Sequence, residues 1–298
     1  MTDELLAAVR DRLREANAFA DVSLADVTVG ASSILVELAG DETDGRLAGL
    51  AHRPREPRDD ESPDRRRAAG EPTARTLESV FETIDAFGSD RASDGRDPWV
   101  HVDPADRFDR AVAIATLNAA SAPFLEWRTG DPMALLDPSV GTIATVGLFR
   151  PAFRKFDDVD VRVVERVPVD DLETPEGVRA STFEPSAAGR AMDGAEVVFL
   201  TGSAFVYGGV RRYLEAAPAS ATVVVVGATA SFLPGPLFEA GVDVVAGATV
   251  DDPPGVRRAI RDGACGTDLH DAGVRKVYVA ADRPSGLQLD PTTSSTDP

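Results

Sequence analysis

Two consecutive stretches of the chain repeat the same order of residue types. Residues 197–200 form an apolar, strand-like run that ends in Thr-Gly-Ser at 201–203, and residues 223–226 form a second run that ends in Gly-Ala-Thr at 227–229. Continuous apolar runs rich in β-branched residues are typical of parallel strands covered on both faces by helices. In such sheets the loops at the carboxyl ends of the strands form the ligand crevice. The repeat therefore predicts an α/β fold and the edge at which a site lies.

The same alternation extends on both sides of the repeat. Strand-like runs occupy 142–146, 161–164, 197–200, 223–226, 242–245 and 276–279, and helical stretches lie between them near 151–156, 187–192, 206–216, 234–240 and 255–261. Strands that alternate with helices at this spacing predict a doubly wound α/β sheet. Because the pattern changes around 131–138, we place this domain at 133–283.

The first part of the chain, 1–132, has a different pattern and is predicted to form a smaller α+β domain. Apolar side chains at helical spacing predict a helix over 3–17, two short runs at 27–30 and 34–38 predict a hairpin, and helices are expected at 76–87 and 107–120. Two polar segments have no core residues. We expect 53–72 to be a mobile insertion and 284–298 to be a disordered tail.

The charge of the chain is strongly negative. It has 50 acidic against 31 basic side chains, a net charge of −19 and a pI near 4.5, and its only lysines are Lys155 and Lys276. An acidic surface with almost no lysine is typical of a halophilic protein, since strongly hydrated carboxylates resist salting out. The alternative, a surface for a cationic partner, is less favoured because the acids are scattered along the chain. This charge opposes nucleic-acid binding.

Other features limit the classes of protein further. The single cysteine, Cys265, excludes an intrachain disulfide and a thiolate metal cluster. No apolar stretch follows a basic start and no run is long enough to cross a membrane, so we expect a soluble, cytoplasmic protein without a membrane partner. A homo-oligomer is compatible with the sequence.

The turns after the first two α/β strands hold two candidate residues. A dinucleotide-binding turn needs Gly-x-Gly-x-x-Gly, but after Gly147 this chain has Phe149 and Ala152, which argues against a standard NAD grip and for an apolar or stacking wall. Glu165 ends the second strand, where an acid often binds a ribose hydroxyl. A solvated acid paired with a neighbouring arginine is the alternative, and both interpretations stay open.

The two hydroxyl turns of the repeat are the other candidates. Thr201, Gly202 and Ser203, and then Gly227 and Thr229, offer hydroxyls and backbone N–H groups ahead of a helix. Helix capping uses the same residue types, although the repetition in consecutive units favours a site. Cys265 and His270 have a spacing that could give two metal ligands, but the neighbouring glycines favour a simple turn.

The successive motifs resemble a known family. Residues 146–151, Glu165, 201–206, 227–234 and 246–247 are similar to the motifs of DUF364, named "putative heavy-metal chelation", and 115–119 resembles the Leu-Asn-Ala signature of its amino-terminal partner, DUF4213. The resemblance implies an enolase-amino-terminal-like domain packed on a Rossmann-like domain, with the ligand between them. With the patterns above it gives the predicted ligand-binding residues Asn118, Gly147, Phe149, Glu165, Thr201, Gly202, Ser203, Tyr207, Gly227, Thr229 and Pro234.

This chain departs from the family pattern at two places. Tyr207 stands where the family usually has asparagine, and 227–229 is Gly-Ala-Thr in place of Gly-Pro-Ser. Thr229 keeps a hydroxyl, whereas Tyr207 cannot replace an amide that both donates and accepts, and its bulk would narrow the cleft. We therefore expect a ligand that differs from that of other members.

Three function classes follow. The leading hypothesis is a non-redox protein that binds a metal or a metal complex, with Glu165 as the metal-contacting carboxylate and a divalent metal as the cofactor to test. The alternative is a small-molecule enzyme that uses a nucleotide-type cofactor such as S-adenosylmethionine. A purely structural module is the third class, and it predicts no response to any ligand.

The net charge of −19 predicts a salt-dependent stability. Removing salt unscreens the repulsion between carboxylates, so the melting temperature should fall from molar to millimolar KCl. Thermal unfolding over a KCl series checks this, with an added neutral osmolyte as the control for general stabilisation. A melting temperature that is the same across the series would count against salt adaptation.

Overall fold

The computed structural model describes residues 2–40, 46–54, 76–89, 104–167, 169 and 172–289. Its α-helices are α1 (Thr2–Glu15), α2 (Leu77–Ser89), α3 (Pro104–Ser121), α4 (Ala188–Met192), α5 (Ala204–Tyr207), α6 (Val210–Ala216), α7 (Gly235–Glu239), α8 (Pro253–Arg261) and α9 (Asp268–Asp271). Its strands are β1 (Val22–Val29), β2 (Ser33–Gly40), β3 (Leu47–His52), β4 (Arg128–Thr129), β5 (Thr142–Val146), β6 (Asp160–Val164), β7 (Arg179–Phe183), β8 (Val197–Thr201), β9 (Thr222–Val226), β10 (Val244–Val250) and β11 (Val274–Ala280).

The larger sheet has eight strands in the order β4-β11-β10-β9-β8-β5-β6-β7. The six strands from β10 to β7 pair in parallel, which confirms the parallel sheet predicted from the apolar runs. The parallel part of the sheet starts at β5; the chain adds β6 and β7 on one side of it and then returns to place β8 on the other. The switch point of the sheet therefore lies between β5 and β8, where α/β proteins of this kind form their ligand crevice.

The last strand differs from a strict strand–helix alternation. β11 runs antiparallel to β10, and Val250 pairs with Val274 at the end where β10 finishes and β11 starts. The intervening segment with α8 and α9 therefore returns beside the strand that it leaves and does not cross a face of the sheet. β4 pairs antiparallel with β11, so the large sheet begins at Arg128, slightly before the predicted boundary of 133.

Side chains alternate between two cores along the buried strands. Val198 and Leu200 of β8 pack into one core, and Val197 and Phe199 pack into the other. The first core also contains side chains of α1 and α3, so the amino-terminal part covers one face of the large sheet. The second core is covered by a 3-10 helix, Arg150–Lys155, and by irregular segments.

Residues 284–289 are among the irregular segments that cover the second core. The prediction of a tail that starts at 284 is therefore corrected. Leu287 bridges to Leu136, and Leu287 and Leu289 are both buried against the sheet. Two leucines among small and polar residues gave too little apolar pattern for a sequence prediction. Residues 290–298 and nearly all of the predicted insertion at 53–72 lie outside the described residues.

The amino-terminal part has a three-stranded antiparallel sheet, β1-β2-β3, with α3 packed closely on it. The predicted β1–β2 hairpin is confirmed, whereas β3 was missed because Leu-Ala-Gly-Leu-Ala-His has no β-branched residue. The glycine in this strand, Gly49, is required by the packing of α3. A Cβ at Gly49 would lie 2.2 Å from the Ala115 carbonyl oxygen and 2.4 Å from the Ala119 nitrogen, so only glycine allows α3 to approach this closely.

The predicted helix at 206–216 is interrupted. α5 ends at Tyr207 and α6 begins at Val210, because Gly208 and Gly209 both have a φ of 90°. Positive φ values break a right-handed helix and are readily adopted by glycine. The predicted helix at 151–156 is a 3-10 helix at 150–155. Among the described helices, none combines the length and the apolar character needed to cross a membrane.

A buried ion pair joins the two parts. Glu37 of β2 has a fully buried carboxylate, which accepts hydrogen bonds from Nε and Nη2 of Arg257 on α8 at 2.7 and 2.9 Å. Arg46 lies 3.6 Å from the same carboxylate. Beside it, Arg261 of α8 pairs with Asp26 of β1 at 3.3 Å in a more exposed position. A bidentate, buried pair of this kind fixes the orientation of the two elements.

Replacing Arg257 with methionine should lower the free energy of unfolding by about 3 kcal/mol, because Glu37 then keeps a buried charge with one distant partner. The matched control is Arg261→Met, which removes the same charge from the same helix but breaks an exposed pair, for a loss of about 1 kcal/mol or less. Denaturant unfolding at constant salt measures both. Equal losses of unfolding free energy in the two variants would show that the buried pair contributes no more to stability than the exposed pair.

Candidate functional site

A cavity of about 950 Å³ lies over the carboxyl ends of the parallel strands. Its wall is built from the ends of β5, β6, β8 and β9 and the turns after them, and from the middle of β10. Residues of β3, the β1–β2 turn and the 130–133 and 265–270 segments complete it. The predicted residues that line it are Gly147, Phe149, Glu165, Thr201, Ser203, Tyr207, Gly227 and Thr229. The predicted residues Asn118, Gly202 and Pro234 do not line it.

The turns after β5 and β8 touch each other at the switch point. Gly147 has a φ of 93°, and a Cβ there would lie 3.0 Å from Cγ2 of Thr201. The hydroxyls of Thr201 and Ser203 are 3.0 Å apart and share a hydrogen bond. Gly202 lies behind them, where its N–H donates to the Val226 carbonyl at 2.7 Å. Gly202 therefore supports the turn, while the two hydroxyls face the cavity.

The carboxylate of Glu165 is held by two backbone amides. Its Oε2 accepts from the N–H of Leu148 at 3.0 Å, and its Oε1 accepts from the N–H of Arg166 at 2.8 Å. Glu165 therefore presents a negative charge in a fixed position at the cavity wall. Each carboxylate oxygen keeps acceptor capacity for a ligand, because an ionised carboxylate has about four lone-pair sites.

Asn118 and Thr229 act between the two parts of the protein. The buried amide of Asn118 donates from Nδ2 to the carbonyls of Leu50, Ala228 and Thr229 at 2.7, 3.1 and 3.2 Å. The hydroxyl of Thr229 accepts from the N–H of His52 at 3.0 Å. The prediction that Asn118 approaches from α3 agrees with this geometry, but its amide binds backbone carbonyls beneath the cavity wall. Pro234, the residue before α7, is not part of the cavity wall.

Tyr207 lies among basic and aromatic groups that the sequence did not associate with it. Its hydroxyl is 3.1 Å from Nε2 of His52. The guanidinium of Arg166 lies 3.6 Å from the centre of the Tyr207 ring, and that of Arg107 lies 5.5 Å from it. Guanidinium groups at these distances are attracted to the face of a phenol ring. Tyr207 is therefore a fixed part of the wall.

Tyr213 of α6 adds a second phenol to the wall. Burial raises the pKa of Tyr213 to about 12; the charge of Glu165 adds to this effect, while Arg166 and Arg212 oppose it. The Tyr213 hydroxyl therefore remains protonated at neutral pH and can donate a hydrogen bond. A single tyrosine in the short helix Val-Arg-Arg-Tyr-Leu-Glu-Ala matches no sequence motif, so this role was not predicted.

Asp131 holds both lysines of the chain. Nζ of Lys276 donates to Asp131 Oδ2 at 2.8 Å, and Nζ of Lys155 donates to the same oxygen. Burial raises the pKa of Asp131, but the hydrogen bonds and charges of the two ammonium groups outweigh it and hold the pKa below its usual value. All three side chains line the cavity. No local motif links them, so sequence reasoning missed this cluster.

The remaining wall contains Cys265 and His270, which the sequence offered as two weak metal ligands. Cys265 is a free, exposed thiol, and Nδ1 of His270 donates to the Val274 carbonyl at 2.8 Å. Within the part of the chain that the structure describes, no group of three His, Cys, Asp or Glu side chains is arranged to hold a metal ion. Glu165 therefore has no ready-made set of protein ligands around it there.

These features define an α/β protein with a large, mixed polar and apolar cavity at the carboxyl edge of a mostly parallel sheet. Residues 132–279 match the family model DUF364, described as "Putative heavy-metal chelation". The chain therefore carries a DUF364 domain, as its motifs indicated. The match begins at residue 132, after α3, so the resemblance of 115–119 to DUF4213 stays a prediction.

Two solved structures share the fold over most of the chain. A DUF364 protein of unknown function from Pyrococcus horikoshii is 19% identical, with a TM-score of 0.66 over 93% of this chain and 99% of that one. A DUF364 protein of unknown function from Desulfitobacterium hafniense DCB-2 is 17% identical, with a TM-score of 0.57 over 90% and 97% of the two chains. No curated protein is significantly similar. At these identities the likeness shows the fold alone.

Replacing Tyr213 with phenylalanine should flatten the alkaline limb of the stability curve. The folded-state pKa is raised, so the unfolded chain loses the phenol proton first and stability is lost as pH rises from about 10 to about 12. In the wild type this should cost about 2 kcal/mol more than in the variant. Denaturant unfolding from pH 8 to pH 12 compares the two curves, and parallel curves would contradict the buried-phenol assignment.

Proposed function

We propose that this protein binds a metal ion that is already held by a small organic chelator. The observation that carries the proposal is a cavity of about 950 Å³ without a three-ligand His, Cys, Asp or Glu group among the described residues. A bare ion needs several protein ligands at about 2.0–2.6 Å, which a compact cluster of side chains supplies. A cavity of this size matches the range of about 300–1,000 Å³ for organic ligands.

The wall offers groups that suit such a complex. Glu165 supplies a fixed negative charge toward the cation, and the hydroxyl pair of Thr201 and Ser203 offers hydrogen bonding to oxygen atoms of the chelator. Phe149 adds an apolar surface beside them. In this arrangement the protein recognises the complex from outside and leaves the inner ligands of the metal in place. The DUF364 description supports a role in metal chelation.

We further propose that the ligand lies between an amino-terminal domain and a Rossmann-like domain. Ser32, Ser33 and residues 50–52 contribute to the cavity wall from the amino-terminal sheet, which supports this position. The order β7-β6-β5-β8-β9-β10 is the order 3-2-1-4-5-6 of dinucleotide-binding folds, which supports the Rossmann-like assignment. The enolase-amino-terminal-like assignment of the first domain rests on the family resemblance.

A nucleotide-type cofactor such as S-adenosylmethionine is the second candidate. The observation in its favour is that Glu165 directly follows β6, beside the turn after β5. An acid at this place in a sheet of this order binds ribose hydroxyls. Against it, no glycine-rich phosphate turn follows β5, because Phe149 occupies that turn. A ligand without a pyrophosphate fits the wall better than NAD.

The test is a thermal-shift panel in molar KCl with Ni²⁺ alone, nitrilotriacetate alone, their complex, S-adenosylmethionine, NAD and ATP. The complex should raise the melting temperature more than either component, because a ligand at 100 times its Kd stabilises the folded state by about 2.7 kcal/mol. A response to Ni²⁺ alone of equal size would favour a bare-ion site. A response to S-adenosylmethionine alone would favour the second candidate.

The Glu165→Gln variant should bind the Ni²⁺ complex about 10-fold or more weakly, because it keeps the shape and removes the charge that faces the cation. Glu196→Gln is the matched control. Glu196 also accepts two backbone N–H bonds, from Gly141 and Thr142 at 2.8 and 3.1 Å, but it lies at the opposite edge of the sheet. Calorimetric titration gives both affinities, and an unchanged affinity in Glu165→Gln would reject the role of Glu165.

A further inference from the structure

The two lysines of the chain meet at one carboxylate. Of the 31 lysine and arginine side chains only Lys155 and Lys276 are lysines, and they are separated by more than a hundred residues. Lys155 ends the 3-10 helix after β5, Lys276 lies on β11, and both bind Oδ2 of Asp131, which follows β4. A chain that uses arginine nearly everywhere has its lysines only at the cavity wall.

One ammonium group is enough to neutralise Asp131, so the second gives the cluster a surplus positive charge. Oδ1 of Asp131 accepts from the N–H of Met133 at 3.1 Å, so the carboxylate already holds the turn at 132–134. One cation neutralises one carboxylate, and an arginine would do so with a more rigid, bidentate fork. Two compact ammonium groups on one oxygen instead give a cluster with a net charge of +1.

The ammonium groups have room for another partner. Each has three N–H donors and uses one on Asp131. The side chains of Lys155 and Lys276 are 30% and 46% exposed, whereas that of Asp131 is 18% exposed. The donors therefore open to the cavity while the carboxylate lies behind them.

The cavity wall is less negative than the rest of the protein. Its charged residues among the described ones are the basic side chains Lys155, Arg166 and Lys276 and the acidic side chains Asp131, Glu165 and Asp268. Their formal charges cancel, although the chain as a whole carries −19. An anion that enters the cavity meets a neutral wall with a positive cluster at Asp131, which lowers the cost of bringing it to an acidic protein.

We propose that Lys155, Lys276 and Asp131 form an anion-binding subsite of the cavity, which takes a carboxylate or phosphate group of a small-molecule ligand. This deepens the proposed function, on which it rests for the identity of the cavity as a ligand site. The subsite predicts in addition that the ligand carries a negatively charged group at the end away from the metal. A chelator with a free carboxylate would place its cation toward Glu165 and its anionic group on the two ammonium groups.

The scarcity of lysine makes a direct test possible. Reductive methylation of the full-length protein in molar KCl labels side-chain amines only at Lys155 and Lys276, with the amino-terminal amine as the internal reference. Citrate tests a carboxylate source, inorganic phosphate tests a phosphate source, and added KCl controls for ionic strength. We expect one of these anions to slow labelling of both lysines at least fivefold relative to the reference amine. Unchanged rates with both anions would overturn the subsite.

Charge-removing variants give the second measurement. Lys155→Met and Lys276→Met should each weaken binding of the protecting anion by roughly 10- to 100-fold, the range for a charge-assisted hydrogen bond. The matched controls are Arg154→Met and Arg275→Met, which remove the same charge from neighbouring residues outside the cavity wall. Arg275 pairs with Asp251 at 2.9 Å, away from Asp131. Losses as large in the controls would assign the effect to general charge and overturn the subsite.

The two proposals fail in different ways. If the nickel complex stabilises the protein but neither anion protects the lysines, the proposed function stands and the anion subsite is wrong. If an anion protects the lysines but no metal complex shifts the melting temperature, the subsite stands and the metal-complex proposal is wrong. Loss of protection in the unfolded protein, tested in denaturant, shows that the effect needs the folded cluster.

Discussion

The buried amide of Asn118 is the contact on which the shape of the cavity depends. It donates at once to Leu50 of β3 and to Ala228 and Thr229 of the turn after β9, so it joins the small sheet, α3 and the large sheet. Carbonyl groups in buried turns need a donor, and burying them without one costs free energy. Gly49 makes this contact possible, because it lets α3 lie against β3. The position of His52 at the cavity follows from that packing.

Two electrostatic environments share one cavity. After β6 the carboxylate of Glu165 is held by backbone amides, and elsewhere on the wall two ammonium groups hold the carboxylate of Asp131. Opposite charges at the two ends of a cavity fix the orientation of a ligand more than they raise its affinity, because each ion pair with the ligand forms only after both groups lose bound water. In an acidic protein the positive end is the unusual one. Working at high salt would screen the outer surface more than these partly buried groups.

The strands that carry the site were predictable, because their apolar runs and following turns are local signals. β5, β8 and β9 were found within one residue at each end, and Gly147, Thr201 and Thr229 were placed at their carboxyl ends. Strand direction is not encoded in such runs, so the antiparallel pairing of β11 was missed. The break in the helix after Tyr207 was not predicted, because the helical spacing of apolar residues continues across Gly208 and Gly209, and only their positive φ values interrupt the helix.

The chemistry of individual side chains was harder to predict, since it depends on contacts between distant residues. Asn118 and Thr229 were predicted to bind the ligand, yet their polar groups form hydrogen bonds between the small sheet and the large sheet. His52, Asp131 and Arg166 carried no motif, and their partners lie on other elements. The two lysines stand out in the sequence only through their rarity, and their contact depends on elements that lie far apart in the chain.

The antiparallel pairing of β10 and β11 has a consequence for how such proteins can diversify. Because β11 returns beside β10, the segment from 251 to 273 is tethered at adjacent points, and its residues 265–270 form a cap at one side of the cavity. Loops anchored in this way tolerate changes in length at small entropic cost. Insertions and deletions between α8 and α9, at 262–267, would alter the volume and chemistry offered to a ligand while the Glu37–Arg257 pair and the packing of α8 stay as they are. Selectivity could evolve in this cap without a change in the sheet.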